Sequence, residues 1–131
     1  MGQQQLLLII LGVIVVGIAV AVGISMFNDS ASSSNRDAVV SDLMNLASRA
    51  QQYYRRPSTT GGGGNTFNGL TLAELTAKPT NSNGVYALST GGSATSVVIT
   101  GTGVEKGNNA TSPISLAVTV FPDSTTLSET N

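Results

Sequence analysis

Side chains able to carry out chemistry are few in this chain, and they are not grouped. Its seven aspartate and glutamate residues are scattered, and no two share a recognisable catalytic spacing. Serine is plentiful, but histidine and cysteine are both absent, so the usual nucleophile–base pairs cannot form. Their absence also removes disulfides and nearly all zinc or transition-metal chemistry. The composition therefore predicts a protein that is not an enzyme and holds no catalytic residue, cofactor or metal.

Two further patterns could indicate the binding of nucleotides or nucleic acids, and neither is specific. The glycines of Gly61–Gly64 lack the lysine and Ser/Thr that complete a phosphate-binding loop. The basic pair Arg55–Arg56 is better explained as the end of a helix, where positive charge favours the terminal carbonyl dipoles. Six basic residues against seven acidic ones leave no nucleic-acid footprint. We expect no specific nucleic-acid partner.

Two triplets match the acceptor pattern for N-glycosylation, Asn28-Asp29-Ser30 and Asn109-Ala110-Thr111. Such triplets also arise often by chance. The second triplet falls in a Ser/Thr-rich connection that we expect to face outward. Asn28 and Asn109 are therefore candidate modification sites, and the sequence alone leaves their use open.

The element that dominates the sequence is an apolar stretch of 22 residues, Leu6 to Phe27, close to the N-terminus. Its length exceeds that of an ordinary strand and equals about 33 Å of helix, enough to cross a bilayer. No lysine or arginine precedes it, as a secretory signal peptide would require, and flanking charges that would seat a simple anchor are also missing. The stretch predicts a membrane helix with an additional role.

Small residues in this helix fall on two faces. At 100° per residue, Gly12, Ala19 and Gly23 lie within about 40° of one another, while Gly17 and Ala21 lie opposite. Small residues four apart let a second helix approach closely, although glycine and alanine are also common in membrane helices. The residues predicted to pack between helices of neighbouring copies are Leu6, Leu7, Ile10, Gly12, Val16, Gly17, Ala19, Ala21 and Gly23.

A second periodic stretch follows the polar segment Asn28–Asn35. Apolar residues recur there at helical spacing and form one stripe, predicted to pack on the rest of the chain: Val39, Leu43, Leu46, Ala50 and Tyr53. Ser34 with Asp37 resembles a capping box that would start a new helix. The polar segment contains neither glycine nor proline, so we favour one long helix from about Gln3 to Arg56, ended by Pro57.

The sequence beyond Pro57 predicts a small β head. A glycine-rich loop, Ser58–Asn68, is expected to be mobile and to face outward, and Leu70–Leu75 forms a helical turn or a strand. Three strands are predicted, at Val85–Thr90, Ser96–Thr102 and Ile114–Phe121, joined as an antiparallel meander with Gly103–Pro113 as an outward loop. Residues 121–131 read as a polar tail. The fold class is α+β, with segments 1–27 (apolar helix), 28–56 (amphipathic helix) and 57–131 (head).

This layout resembles the type IV pilin family, including archaeal-type pilins and the pseudopilins of secretion systems. At residue level the similarity is confined to Met1 to about Met26 and the amphipathic continuation. The resemblance implies that a peptidase removes a charged leader at a Gly boundary, which would leave Met1 or Gln3, after Gly2, as the first mature residue. The family usually has Glu at the fifth mature position. Here that position holds Gln5 or Leu7, so the charge pairing between subunits is absent.

The resemblance further implies a structural subunit of an extracellular, type IV pilus-like filament. The helix would lie in the cytoplasmic membrane before assembly and then polymerise with copies of itself. Its other partners would be the lipid bilayer, a prepilin peptidase and the assembly machinery. Two alternatives stay open: a pseudopilin or minor pilin of a secretion system, and a single-pass, membrane-anchored surface protein.

Overall fold

The computed structural model describes residues 2–131 as one long helix followed by a four-stranded sheet. The elements are α1 (Gln3–Arg55), a 3-10 turn (Ser58–Thr60), α2 (Leu72–Leu75), β1 (Gly84–Thr90), β2 (Val97–Lys106), β3 (Pro113–Val120) and β4 (Thr125–Glu129). The α+β class predicted from the sequence is confirmed.

Helix α1 runs through the polar segment without interruption for 53 residues, about 80 Å. The predicted single helix is confirmed, and the predicted capping box at Ser34 and Asp37 is wrong. Both residues lie inside the helix, where backbone N–H groups already bond to the preceding turn. The helix ends where predicted, because Arg56 takes extended dihedral angles (φ −73°, ψ 134°) before Pro57.

The sheet is an antiparallel meander in the order β1-β2-β3-β4, with one strand more than the sequence predicts. The expectation of a polar tail at residues 121–131 is wrong, since Thr125–Glu129 pairs with β3 from Val120↔Thr125 to Leu116↔Glu129. Strand β2 is also longer than predicted and reaches Lys106. The β2–β3 connection is therefore Gly107–Ser112, and Gly103, expected in an outward loop, is buried in β2.

One face of the sheet packs on the second half of α1. On β3 the alternation is as predicted: Ile114, Leu116, Val118 and Val120 are buried, whereas the residues between them are half-buried. The buried stripe of α1 that meets them comprises Val39, Leu43, Leu46, Ala47 and Ala50. This single layer of contact forms the hydrophobic core of the head.

The glycine-rich segment is packed against the end of α1, which the expectation of a mobile outward loop did not foresee. The backbone N–H groups of Gly63, Gly64 and Asn65 donate to the carbonyls of Tyr53, Arg56 and Tyr54 at 2.8–2.9 Å. A Cβ at position 63 would lie 1.9 Å from the Thr66 carbonyl oxygen. Glycine is needed here because the Thr66 carbonyl and the Tyr53 ring leave no space for a side chain.

Candidate functional site

The candidate functional surface is the first half of α1, residues 6–27, which we call the apolar segment. Its large side chains are all exposed, by 52% to 73% of their area, and no part of the segment is buried within the chain. They are Leu6, Leu7, Leu8, Ile9, Ile10, Leu11, Val13, Ile14, Val15, Val16, Ile18, Val20, Val22, Ile24, Met26 and Phe27. An apolar surface of this size requires a partner or a lipid environment.

The apolar segment is long and apolar enough to cross a membrane. Within the described residues, the first charged side chain of α1 is Asp29, two residues beyond the end of the segment. The helical backbone satisfies its own polar groups, as a hydrocarbon environment demands. The segment could therefore serve as a membrane anchor, and the head would begin at its end.

The small residues of the apolar segment leave open notches on the helix. A Cβ placed at Gly12, Gly17 or Gly23 would meet no atom of the chain within 4 Å apart from the adjacent residues and the surrounding helical backbone. Ala19 and Ala21 are exposed as well. The residues predicted to pack between copies thus all lie on the uncovered helix, and nothing in residues 2–131 fills the spaces beside them.

Of the four residues expected to take part in processing and registration, Gly2, Gln3 and Gln5 lie at the start of α1. Gly2 adopts φ 120°, a value that favours glycine, and its carbonyl accepts a hydrogen bond from Leu6 N at 2.9 Å. Gln3 and Gln5 are exposed, and the first turn contains no acidic side chain. Met1 lies outside the described residues.

Asn35 fixes the point at which α1 enters the head. This side chain is only 8% exposed. Its Nδ2 donates to the Asn83 carbonyl at 2.8 Å, and its Oδ1 accepts from Val104 N at 3.0 Å and Glu105 N at 3.2 Å. Sequence reasoning missed Asn35, because an asparagine in a polar segment carries no signal of burial.

Two neighbouring contacts reinforce this junction. Ser32 Oγ donates to the Lys106 carbonyl at 2.7 Å, and Arg36 forms an ion pair with Glu129 of β4 at 2.8 Å. Arg36 also donates to Asn108 Oδ1 at 2.9 Å. The end of β2, the β2–β3 connection and the last strand are therefore all attached to one turn of α1.

A carboxylate about two turns further along the helix accepts hydrogen bonds from residues just before and within β1. Asp42 Oδ2 accepts hydrogen bonds from Asn81 Nδ2 (2.9 Å), Asn83 Nδ2 (3.0 Å) and the Tyr86 hydroxyl (2.5 Å). Burial alone would raise the pKa of Asp42, but these three bonds outweigh it and the pKa lies below its usual value. Burial, and then the bond to Asp42, raises the pKa of Tyr86.

The stripe predicted to pack on the head does so along its length. Val39, Leu43 and Ala50 are fully buried and Leu46 nearly so, whereas Tyr53 is half-buried at the edge. The Tyr53 hydroxyl donates to the Asn68 carbonyl at 3.2 Å, and burial, followed by the charge of Glu74, raises the pKa of Tyr53. The second half of α1 is thus already covered by the chain's own sheet.

Both candidate glycosylation sites are exposed, but on different elements. Asn28 lies in α1 directly after the apolar segment, and Asn109 lies in the β2–β3 connection. Among residues 2–131 no three Asp or Glu side chains come together in a way that could hold a metal ion.

Comparison of the chain with models of protein families, with curated proteins and with solved structures finds no match.

Proposed function

We propose that this chain is the structural subunit of a type IV pilus-like extracellular filament. The apolar segment holds the subunit in the membrane before assembly. In the filament, the same segments from many copies pack together and the heads lie outside them. The observation that carries the proposal is the contrast between the two halves of one helix.

That contrast is sharp at residue level. From Val39 to Ala50 the inward-facing side chains are covered by the sheet, and the structure of this half is complete within one chain. From Leu6 to Phe27 every large apolar side chain is at least half exposed. An ordinary membrane anchor does not need to continue as a rigid helix into the core of its own head. Continuity makes the segment and the head a single unit that can be moved and stacked as a whole.

Energetics favours self-association once the segment leaves the bilayer. At about 25 cal/mol per Å² of apolar surface, exposure of a 22-residue apolar helix to water would cost on the order of tens of kcal/mol. Lipid covers that surface before assembly. After extraction, identical segments from other copies can cover it, and the notches at Gly12, Gly17 and Gly23 allow their backbones to approach closely. Contacts of this heterologous kind propagate into a helical array.

The absence of charged side chains in the first turn of α1 affects how neighbouring copies can align in the proposed assembly. Gln5 is exposed and uncharged, so its carboxamide can hydrogen-bond to a neighbouring subunit without an ion pair. The axial alignment of neighbouring copies then depends more on the packing of side chains into the notches than on an ion pair between subunits. This dependence makes the small residues the sensitive positions.

The first test is the isolation of the assembled form. Producing cells are sheared, the supernatant is pelleted, and the pellet is imaged by negative-stain electron microscopy with N-terminal mass spectrometry of the same material. Thin filaments composed of this chain are expected. If all of the chain stays in the membrane fraction, a membrane-anchored surface protein or a pseudopilin replaces the filament subunit as the explanation.

Variants at the notches separate packing between copies from anchoring. Gly17→Leu and Ala19→Leu are expected to abolish filaments, while the chain stays in the membrane and its head stays folded. The isolated chain has room for a larger side chain at position 17, so loss of filaments would report contact with another copy. Leu8→Ile serves as the matched control, because it changes shape at an exposed position but keeps the volume. Survival of filaments in both leucine variants contradicts the packing model.

A further inference from the structure

The β2–β3 connection presents an exposed triplet at its tip. Asn109, Ala110 and Thr111 are all exposed, and they match the acceptor pattern for N-glycosylation. Ala110 adopts φ 55°, which turns the chain back towards β3. The turn is closed by the hydrogen bond from Gly107 N to the Ser112 carbonyl at 2.8 Å. The triplet therefore stands on an ordered turn that an enzyme can approach from outside.

The carboxamide of Asn109 is held by its oxygen. Oδ1 accepts hydrogen bonds from Thr111 N at 3.0 Å and from Ser112 N at 2.9 Å. The Thr111 hydroxyl donates to the Asn109 carbonyl at 3.1 Å. Nδ2 makes no hydrogen bond to any atom of residues 2–131. The side chain is thus ordered, and its nitrogen is free for an external reagent.

The second triplet lacks this arrangement. Asn28, Asp29 and Ser30 lie inside α1, where each backbone N–H bonds to the residue four positions earlier. The Ser30 N–H therefore cannot turn towards the Asn28 side chain. Asn28 also follows Phe27 directly, at the end of the apolar segment. The structure distinguishes two triplets that the sequence leaves open.

The geometry points to Asn109, and not Asn28, as an N-glycosylation site, with a saccharide transferred from a polyprenyl diphosphate carrier. Nδ2 forms a bond to the anomeric carbon while the bond from that carbon to the carrier's phosphate oxygen breaks. The carrier diphosphate leaves with the electron pair, and Nδ2 loses one proton to a base of the transferase. The inference rests on the part of the proposed function that places the head on the outer side of the membrane, and it does not depend on filament assembly.

The experiment uses the full chain purified from the cells that produce it. Trypsin cleaves after lysine and arginine, so Asn109 falls in the peptide 107–131 and Asn28 in the peptide that ends at Arg36. Mass spectrometry with electron-transfer dissociation is expected to find a saccharide on Asn109 and a bare Asn28. A bare peptide 107–131 in the purified chain overturns the inference, and so does a saccharide on Asn28.

Matched variants locate the attachment without unfolding the turn. Asn109→Asp keeps an oxygen for the two backbone N–H groups but removes the nitrogen, so the added mass on the peptide 107–131 should vanish. Thr111→Ser should retain the mass and Thr111→Ala should lose it, since the pattern requires a hydroxyl at that position. Asn28→Gln should leave it unchanged. Mass retained in Asn109→Asp would place the saccharide on a serine or threonine and refute the site.

Discussion

Asn35→Ala is expected to destabilise the head by about 3 kcal/mol, because it removes three hydrogen bonds from a nearly buried side chain. Each bond contributes about 1 kcal/mol net, and the stranded N–H groups of Val104 and Glu105 add a desolvation cost. The better helix propensity of alanine offsets about 0.6 kcal/mol of this loss. The net effect is thus a large fraction of the free energy of unfolding of a typical domain, which is about 5–15 kcal/mol.

The assay is urea unfolding of the full chain in mild detergent, followed by tyrosine fluorescence. The chain has no tryptophan, and its three tyrosines, Tyr53, Tyr54 and Tyr86, all lie in the hydrophobic core of the head or pack against it. The signal therefore reports the head and not the apolar segment. With a urea dependence of about 1–3 kcal/mol per M, the midpoint should fall by about 1–3 M. Ser33→Ala, on the same turn but exposed, should leave the midpoint nearly unchanged.

Gly103 provides a second arm of the same test. A Cβ at this position would lie 2.3 Å from Asn35 Oδ1, so Gly103→Ala should also destabilise the head. In the Asn35→Ala background that oxygen is gone, and Gly103→Ala should then cost much less. A midpoint shift below about 0.3 M for Asn35→Ala, or strictly additive costs in the double variant, would show that Asn35 does not join the helix to β2.

Two further predictions concern the core and the pH dependence of the head. Leu43→Ala should lower the free energy of unfolding by about 2–5 kcal/mol in the same assay, since Leu43 is fully buried between α1 and the sheet. Met44→Ala is the control, because Met44 is the exposed neighbour on the same helix. Equal effects of the two substitutions would contradict the packing. Because the pKa of Asp42 is lowered in the folded chain, ionised Asp42 stabilises the head at pH values above its unfolded-state pKa of about 4. This stability should be lost as the pH falls through the lower pKa of the folded state. The raised pKa of Tyr86 acts in the opposite direction, so stability present below about pH 10 should be lost as the pH rises beyond it. Asp42→Asn should flatten the acid limb, and an unchanged acid limb would exclude Asp42 as its source.

The predictions that the structure confirms came from apolar residues that recur with the spacing of a helix or a strand. The apolar run, the stripe from Val39 to Ala50 and the alternation from Ile114 to Val120 each follow from the geometry of one element. The end of α1 at Pro57 follows from a local steric rule. Such features depend on residues near in sequence, and no tertiary contact was needed to predict them.

Strand β4 could not be predicted in this way. Its residues, Thr125–Glu129, are all exposed and include one large apolar side chain, Leu127. They become a strand because β3 offers a free edge and Glu129 reaches Arg36 of the helix. The same applies to the glycine-rich segment. Its composition predicts a mobile backbone, but backbone N–H groups of the segment donate hydrogen bonds to carbonyls at the end of α1. In both cases the partner is remote from the segment that it orders.

An apolar helix of membrane length and a small β head could therefore be predicted from the sequence alone. The tertiary structure was needed to show that Asn35 joins the helix to β2, that β4 pairs with β3, and that Asn109 differs from Asn28. The physical reason is the range of the interactions. Periodicity records which face of an element is apolar, whereas hydrogen bonds such as those of Asn35 and Asp42 join residues more than 35 positions apart.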